Sequence, residues 1–100
     1  MDETFLTLER SESAAVQPQV WMGVLKGLTL TDWSLIAPRI AAPTLILWGD
    51  QDGLFDAASQ TRVKAVLPGA RHETFAGIGH NFFWEQPELA AAKINGFLTP

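Results

Sequence analysis

The chain of 100 residues is predicted to have an α/β fold, and three observations carry that prediction. Thr44 to Trp48, reading Thr-Leu-Ile-Leu-Trp, is an apolar run of strand length that suits a sheet buried on both faces. Arg71 to Phe75 is a second strand, less hydrophobic and closer to an edge. Between them Asp56 can cap a helix over 57–67, and Pro68-Gly69 terminates it. Strand, helix and strand in this order make a βαβ unit, so the two strands should run parallel with a right-handed crossover.

Each element has a local reason. Residues 1–13 are polar and acidic apart from Phe5, Leu6 and Leu8, and are expected to be a short extended or frayed lead-in. Pro18 marks a boundary, after which Trp21, Val24, Leu25 and Leu28 fall on one face of an amphipathic helix. Gly27 and Thr29-Leu30-Thr31 should end that helix. A second short helix is expected over 31–36, with Thr31 as its cap and Pro38 setting its stop. Pro43 suits the first position of the first strand because it has no N–H to give the ladder. In the 57–67 helix Val63, Val66 and Leu67 should face the sheet, with Arg62 and Lys64 toward water. Pro87 fits the start of a last helix, with Ala90, Ile94, Phe97 and Leu98 as its buried stripe.

Composition bounds the function. With 47% hydrophobic and 18% charged residues the chain reads as one ordinary globular domain. A formal net charge of -4 and scattered Lys and Arg argue against a nucleic-acid or anionic-membrane partner. Cysteine is absent, which excludes disulfides and thiol chemistry and fits a reducing compartment. No apolar run reaches membrane-spanning length, and the acidic Met-Asp-Glu-Thr start is unlike a signal peptide, so a cytoplasmic protein is expected.

The chemistry-bearing residues follow the two strands. Gly49 closes the first, and Asp50 and Asp52 come next. A glycine-bracketed loop, Ala76-Gly77-Ile78-Gly79-His80-Asn81, follows the second. Asp52 and His80 should therefore meet on one rim of the sheet, where open α/β sheets place their chemistry. A carboxylate on His Nδ1 fixes the tautomer and stabilises the imidazolium, which leaves Nε2 to act as a general base. Asp50 is the rival for the acid. The Asp50-Gln51-Asp52-Gly53 run hints at a calcium loop, but its glycine comes too early and no Glu closes it, so no metal or cofactor is expected. His72 lies within the second strand as a half-exposed residue. Phe82, Phe83 and Trp84 should pack beneath the histidine loop.

Pro43 to Asp52, a helix, a short strand, Gly-Ile-Gly-His and then Trp-Glu-Gln-Pro together resemble the C-terminal part of an α/β-hydrolase, over about residues 40–98. The order, acid then histidine, is that of the family. The resemblance implies a partial α/β-hydrolase fold, with Asp52 as the triad acid and His80 as the triad base. Glu85 matches a position near the start of the last helix, as a cap or a support for the site. Residues 14–40 are similar to the helical segment returning from the family's cap. By this reading residues 1–40 are lead-in and cap-derived helices, and 41–100 form the α/β segment.

The departure is the nucleophile. Ser11, Ser13, Ser34 and Ser59 all lack the paired glycines of a Gly-x-Ser-x-Gly elbow, and the His-Gly oxyanion segment is missing. Two functions are expected from this. The chain either supplies acid and base to a nucleophile on an N-terminal hydrolase half, being inactive alone, or is a non-catalytic module that self-associates. In the first case the substrate is a small molecule with an ester, lactone, carbon–halogen or epoxide bond. The apolar 44–48 strand is a poor free edge, and a second copy across a twofold axis is its simplest partner.

Overall fold

The computed structural model describes residues 1–99, and the chain divides into two units, Met1–Trp33 and Ser34–Pro100. In the first unit, α1 spans Glu3–Ala15. The extended lead-in expected over 1–13 is thereby corrected. Asp2 is an N-cap whose carboxylate accepts from the N–H groups of Thr4 and Phe5. Glu3 beside it suits the positive end of the helix, and the Leu, Glu, Arg and Ala that follow are good helix formers.

The second helix, α2, spans Pro18–Leu30 with the proline in its first turn. Its apolar residues stay exposed, Trp21 at 50% and Leu28 at 63%. The helix expected over 31–36 does not form. Thr31 is instead the C-cap of α2, and its hydroxyl donates back to the Gly27 carbonyl at 2.7 Å. Two 3-10 turns follow, Trp33–Leu35 and Ala37–Arg39. Pro38 lies inside the second turn, at a position where its missing N–H costs nothing.

The second unit contains the predicted βαβ arrangement. Strand β1, Leu45–Gly49, pairs in parallel with β2, Arg71–Phe75, in a register running from Leu45↔Arg71 to Gly49↔Phe75. The crossover helix α3 spans Ala57–Val66, and its cap Asp56 accepts from Ser59 N–H at 2.9 Å. Val63, Val66 and Leu67 are half-buried while Arg62 and Lys64 are exposed. Two further helices follow, α4 over Phe82–Glu85 and α5 over Pro87–Leu98.

Side-chain alternation sorts β2 onto two layers. On one face His72 Nε2 lies 2.9 Å from Oε1 of the buried Gln60 on α3. On the other, Phe75 stacks on the buried Phe82 of α4 at 4.4 Å between ring centres. Glu73 on that same face reaches Arg71 at 2.6 Å and Lys93 of α5 at 3.3 Å. The core is small. Among the described residues only Phe82 and Ala90 are buried hydrophobics, while Ile94, Leu98 and Phe83 of the expected packing set are exposed.

Strand β1 is half-buried rather than covered on both faces, with Gly49 its one buried residue. Thr44 C=O accepts from Arg71 N–H, and Asp50 N–H donates to Phe75 C=O. Even-numbered residues thus turn their backbone groups toward β2. Leu45 and Leu47 turn theirs the other way, to an edge where no strand pairs among the described residues.

The Gln60–His72 contact has a measurable consequence. Burial, with Lys64 nearby, holds the His72 imidazole below its ordinary value of 6.5. The unfolded chain therefore binds this proton first as pH falls, so folded stability should drop as pH is lowered from about 6.5 toward the depressed folded value. Denaturant titrations at pH 7.5 and pH 5, compared with His72→Gln, check this; an equal pH dependence in both proteins would refute it.

Candidate active site

The acid loop is built from β1 outward. Gly49 ends the strand because the histidine loop crosses over it. A Cβ there would lie 2.2 Å from the Ile78 carbonyl oxygen and 2.6 Å from that of Gly79. The chain then turns, Asp52 N–H donating to Gly49 C=O, and Asp52 Oδ1 accepts from Leu54 N–H at 2.8 Å and Phe55 N–H at 2.9 Å. This is an Asx-type turn, in which a carboxylate replaces backbone acceptors that the turn has removed.

The histidine loop is held by three contacts, two to the acid loop and one to α4. Gly77 N–H donates to Asp50 Oδ1 at 2.8 Å. The Ile78 carbonyl accepts from Gln51 N–H at 2.9 Å. Gly79 N–H donates to Glu85 Oε2 at 2.9 Å. Gly77 has φ +76, a left-handed conformation that glycine adopts without penalty. Two carboxylates and a backbone amide thus hold the loop in place.

These supports bring together the two residues singled out from sequence. His80 Nδ1 lies 2.9 Å from Asp52 Oδ2, with the carboxylate side chain 5% exposed and the imidazole 40% exposed. Burial pushes the Asp52 carboxyl upward, but hydrogen bonds from His80, Phe55 and Leu54 outweigh it and hold the group below the ordinary aspartate range. It is therefore ionised at neutral pH and acts only as an acceptor. The Nδ1 position must then carry the proton, which leaves Nε2 as the basic ring nitrogen. Asp50 does not reach His80; its oxygen serves Gly77. A hollow of about 270 Å³ borders the pair, lined by Ile46, Trp48, Phe55 and Val63 among others.

Three supports were not singled out in the sequence. Trp48 Nε1–H donates to Phe55 C=O at 2.9 Å, and the Phe55 ring lies 5.5 Å from the imidazole. Gln60 is buried against His72. The signal for Trp48 was available, since it holds the only side-chain N–H in the Leu45–Gly49 strand. Gln60 had no signal, because its role depends on which helix turn faces β2.

A carboxylate–imidazole pair on loops at the carboxyl ends of adjacent parallel strands is the arrangement of an α/β protein whose site lies at the sheet rim. A profile of the alpha/beta hydrolase fold matches residues 5–87, and the chain belongs to that family. Two relatives from Xenopus laevis match 61 residues each, 61% of this chain and 18% of their own length. They are monoacylglycerol lipase abhd6-B, 33% identical, and abhd6-A, 31% identical. The crystal structure of E-2-(acetamidomethylene)succinate hydrolase has the same fold over 70% of this chain and 26% of that one, with a TM-score of 0.65 and 21% identity. The chain thus spans about a fifth of the curated relatives it matches. No helix of the described residues is long and apolar enough to cross a membrane.

Proposed function

We propose that the chain supplies the acid Asp52 and the base His80 of a hydrolase triad whose nucleophile lies outside these 100 residues. The observation that carries the proposal is the 2.9 Å contact between His80 Nδ1 and a largely buried Asp52 carboxylate. His80 Nε2 takes the proton of a nucleophilic hydroxyl as it attacks the substrate carbonyl. Asp52 stabilises the imidazolium that forms and holds the ring in its productive tautomer. No serine of the chain stands on a glycine-flanked elbow, so the pair by itself has only water to activate. The lipase name of the relatives favours a carboxylic ester as substrate.

The test is complementation. The chain is mixed or fused with a hydrolase segment carrying a Gly-x-Ser-x-Gly elbow, and release of p-nitrophenol from a simple ester is followed. Hydrolysis is expected only from the combined preparation, and His80→Ala should return it to background. Rescue that survives His80→Ala would overturn the assignment.

The open β1 edge favours a second reading, a non-catalytic module that pairs through Leu45 and Leu47 with a second copy about a twofold axis. Their outward backbone groups lie in a half-buried apolar strand, and unpaired polar backbone groups there are unfavourable. Sedimentation of the chain alone should then show a dimer. A strictly monomeric species would exclude it.

A further inference from the structure

We infer that Trp48 and Phe55 form a positioning device for His80. The inference rests on His80 being the base of the proposed pair. The imidazole has two neighbours that restrict it, the Asp52 carboxylate at Nδ1 and the Phe55 ring, whose centre is 5.5 Å away at 43°. Phe55 is 52% exposed, an aromatic group at the surface rather than in the core. Such a ring on a loop would ordinarily sample several positions.

Here its backbone is held from both sides. Phe55 N–H donates to Asp52 Oδ1 at 2.9 Å, and Phe55 C=O accepts from Trp48 Nε1–H at 2.9 Å. The first contact ties the ring to the acid. The second ties it to β1, a strand whose position is set by its ladder with β2. A half-buried indole N–H needs an acceptor, and Phe55 C=O is the one it has found. Phenylalanine or leucine at position 48 would supply similar apolar area without that bond. Placement therefore runs from β1 through the Trp48 indole to the Phe55 backbone, and from the Phe55 ring to the tilted His80 ring beside it. Neither residue exchanges a proton with the imidazole. Both act through its orientation.

The experiment uses the 100-residue chain alone, labelled with ¹⁵N, and follows exchange of the His80 Nδ1 proton with water by NMR. Phe55→Leu, at an exposed position, should leave the melting temperature unchanged yet speed exchange about fivefold, the size expected when one aromatic pair is lost. Phe55→Tyr, which keeps the ring, should exchange at the original rate. Trp48→Phe should speed exchange to the same extent, and it should also lower the melting temperature somewhat because the indole is half-buried and its bond to Phe55 C=O is lost. A purely structural role would lower the melting temperature with no selective effect on the Nδ1 proton. Exchange in Phe55→Leu as slow as in the parent chain, or a parent proton that already exchanges as fast as in the variants, overturns the inference. Failure of the hydrolase reading would appear separately, as absent ester hydrolysis on complementation.

Discussion

Asp52→Asn is expected to lower ester hydrolysis by the completed enzyme about 10⁴-fold, the size of loss that follows when a triad aspartate is made an amide. The fold should survive, because the asparagine carbonyl can still accept from Leu54 and Phe55 N–H in place of Asp52 Oδ1. The other end of the group is what changes. The carboxylate oxygen that accepts from His80 Nδ1 becomes an NH₂, which can only donate. Nδ1 must then become the acceptor, and the ring proton moves to Nε2, the nitrogen required as the base. Imidazole ¹⁵N shifts should report that tautomer exchange in the chain alone, independently of any activity.

Asp50→Asn is the matched control. The Asp50 oxygen accepts from Gly77 N–H, a bond that an amide oxygen can also make, so the loss should be less than about tenfold. The opposite ranking, with Asp50→Asn the more damaging, would move the acid to Asp50.

Gly49→Ala should cost the second unit more than the roughly 1–3 kcal/mol usual for overpacking. The added Cβ would sit 2.2 Å from the Ile78 carbonyl oxygen and 2.6 Å from that of Gly79. Both obstacles are backbone, so no side chain can swing aside. Relief requires moving the 76–80 loop off the strand end. That motion strains the Gln51 N–H to Ile78 C=O bond and the Gly79 N–H to Glu85 bond.

A melting temperature lower by on the order of 10 °C or more is expected by circular dichroism, given about 4–8 °C per kcal/mol for a domain of this size. Gly53→Ala is the contrasting case, since its new Cβ meets nothing within 4 Å. Equal stability of the two variants would show that the loop does not cross Gly49 so closely.

How far the sequence reaches can be seen at individual residues. Apolar Thr44–Trp48 bounded by Pro43 and Gly49, and Asp56 ahead of a helix closed by Pro68-Gly69, are local signals with local causes. The helix at Ala57–Val66 and the strands at Leu45–Gly49 and Arg71–Phe75 follow them closely. The N-terminal helix is not legible from periodicity, because its signal is a cap, Asp2 on Thr4 and Phe5, and not a hydrophobic stripe. Thr31 closes the helix before it and does not open one after it. A threonine between two candidate helices can serve either end, and its hydroxyl went back to Gly27.

Sequence by itself determined the strand–helix–strand order, the parallel pairing and the placement of an acid and a histidine just beyond two strand ends. Those features depend on periodicity, turn residues and crossover handedness, which act over a few residues or constrain topology generally. Asp52 is the expected partner of the imidazole, and what the tertiary structure adds is the separate task of Asp50, which serves Gly77 N–H. Asp50 and Asp52 lie two residues apart on one turn, and their division between Gly77 N–H and His80 Nδ1 depends on how the second loop crosses Gly49. Tertiary structure also decided that the Trp48 indole serves Phe55 C=O and that β1 keeps one edge open. Contacts between segments distant in the chain depend on relative placement, and that placement exists only after the strands have paired.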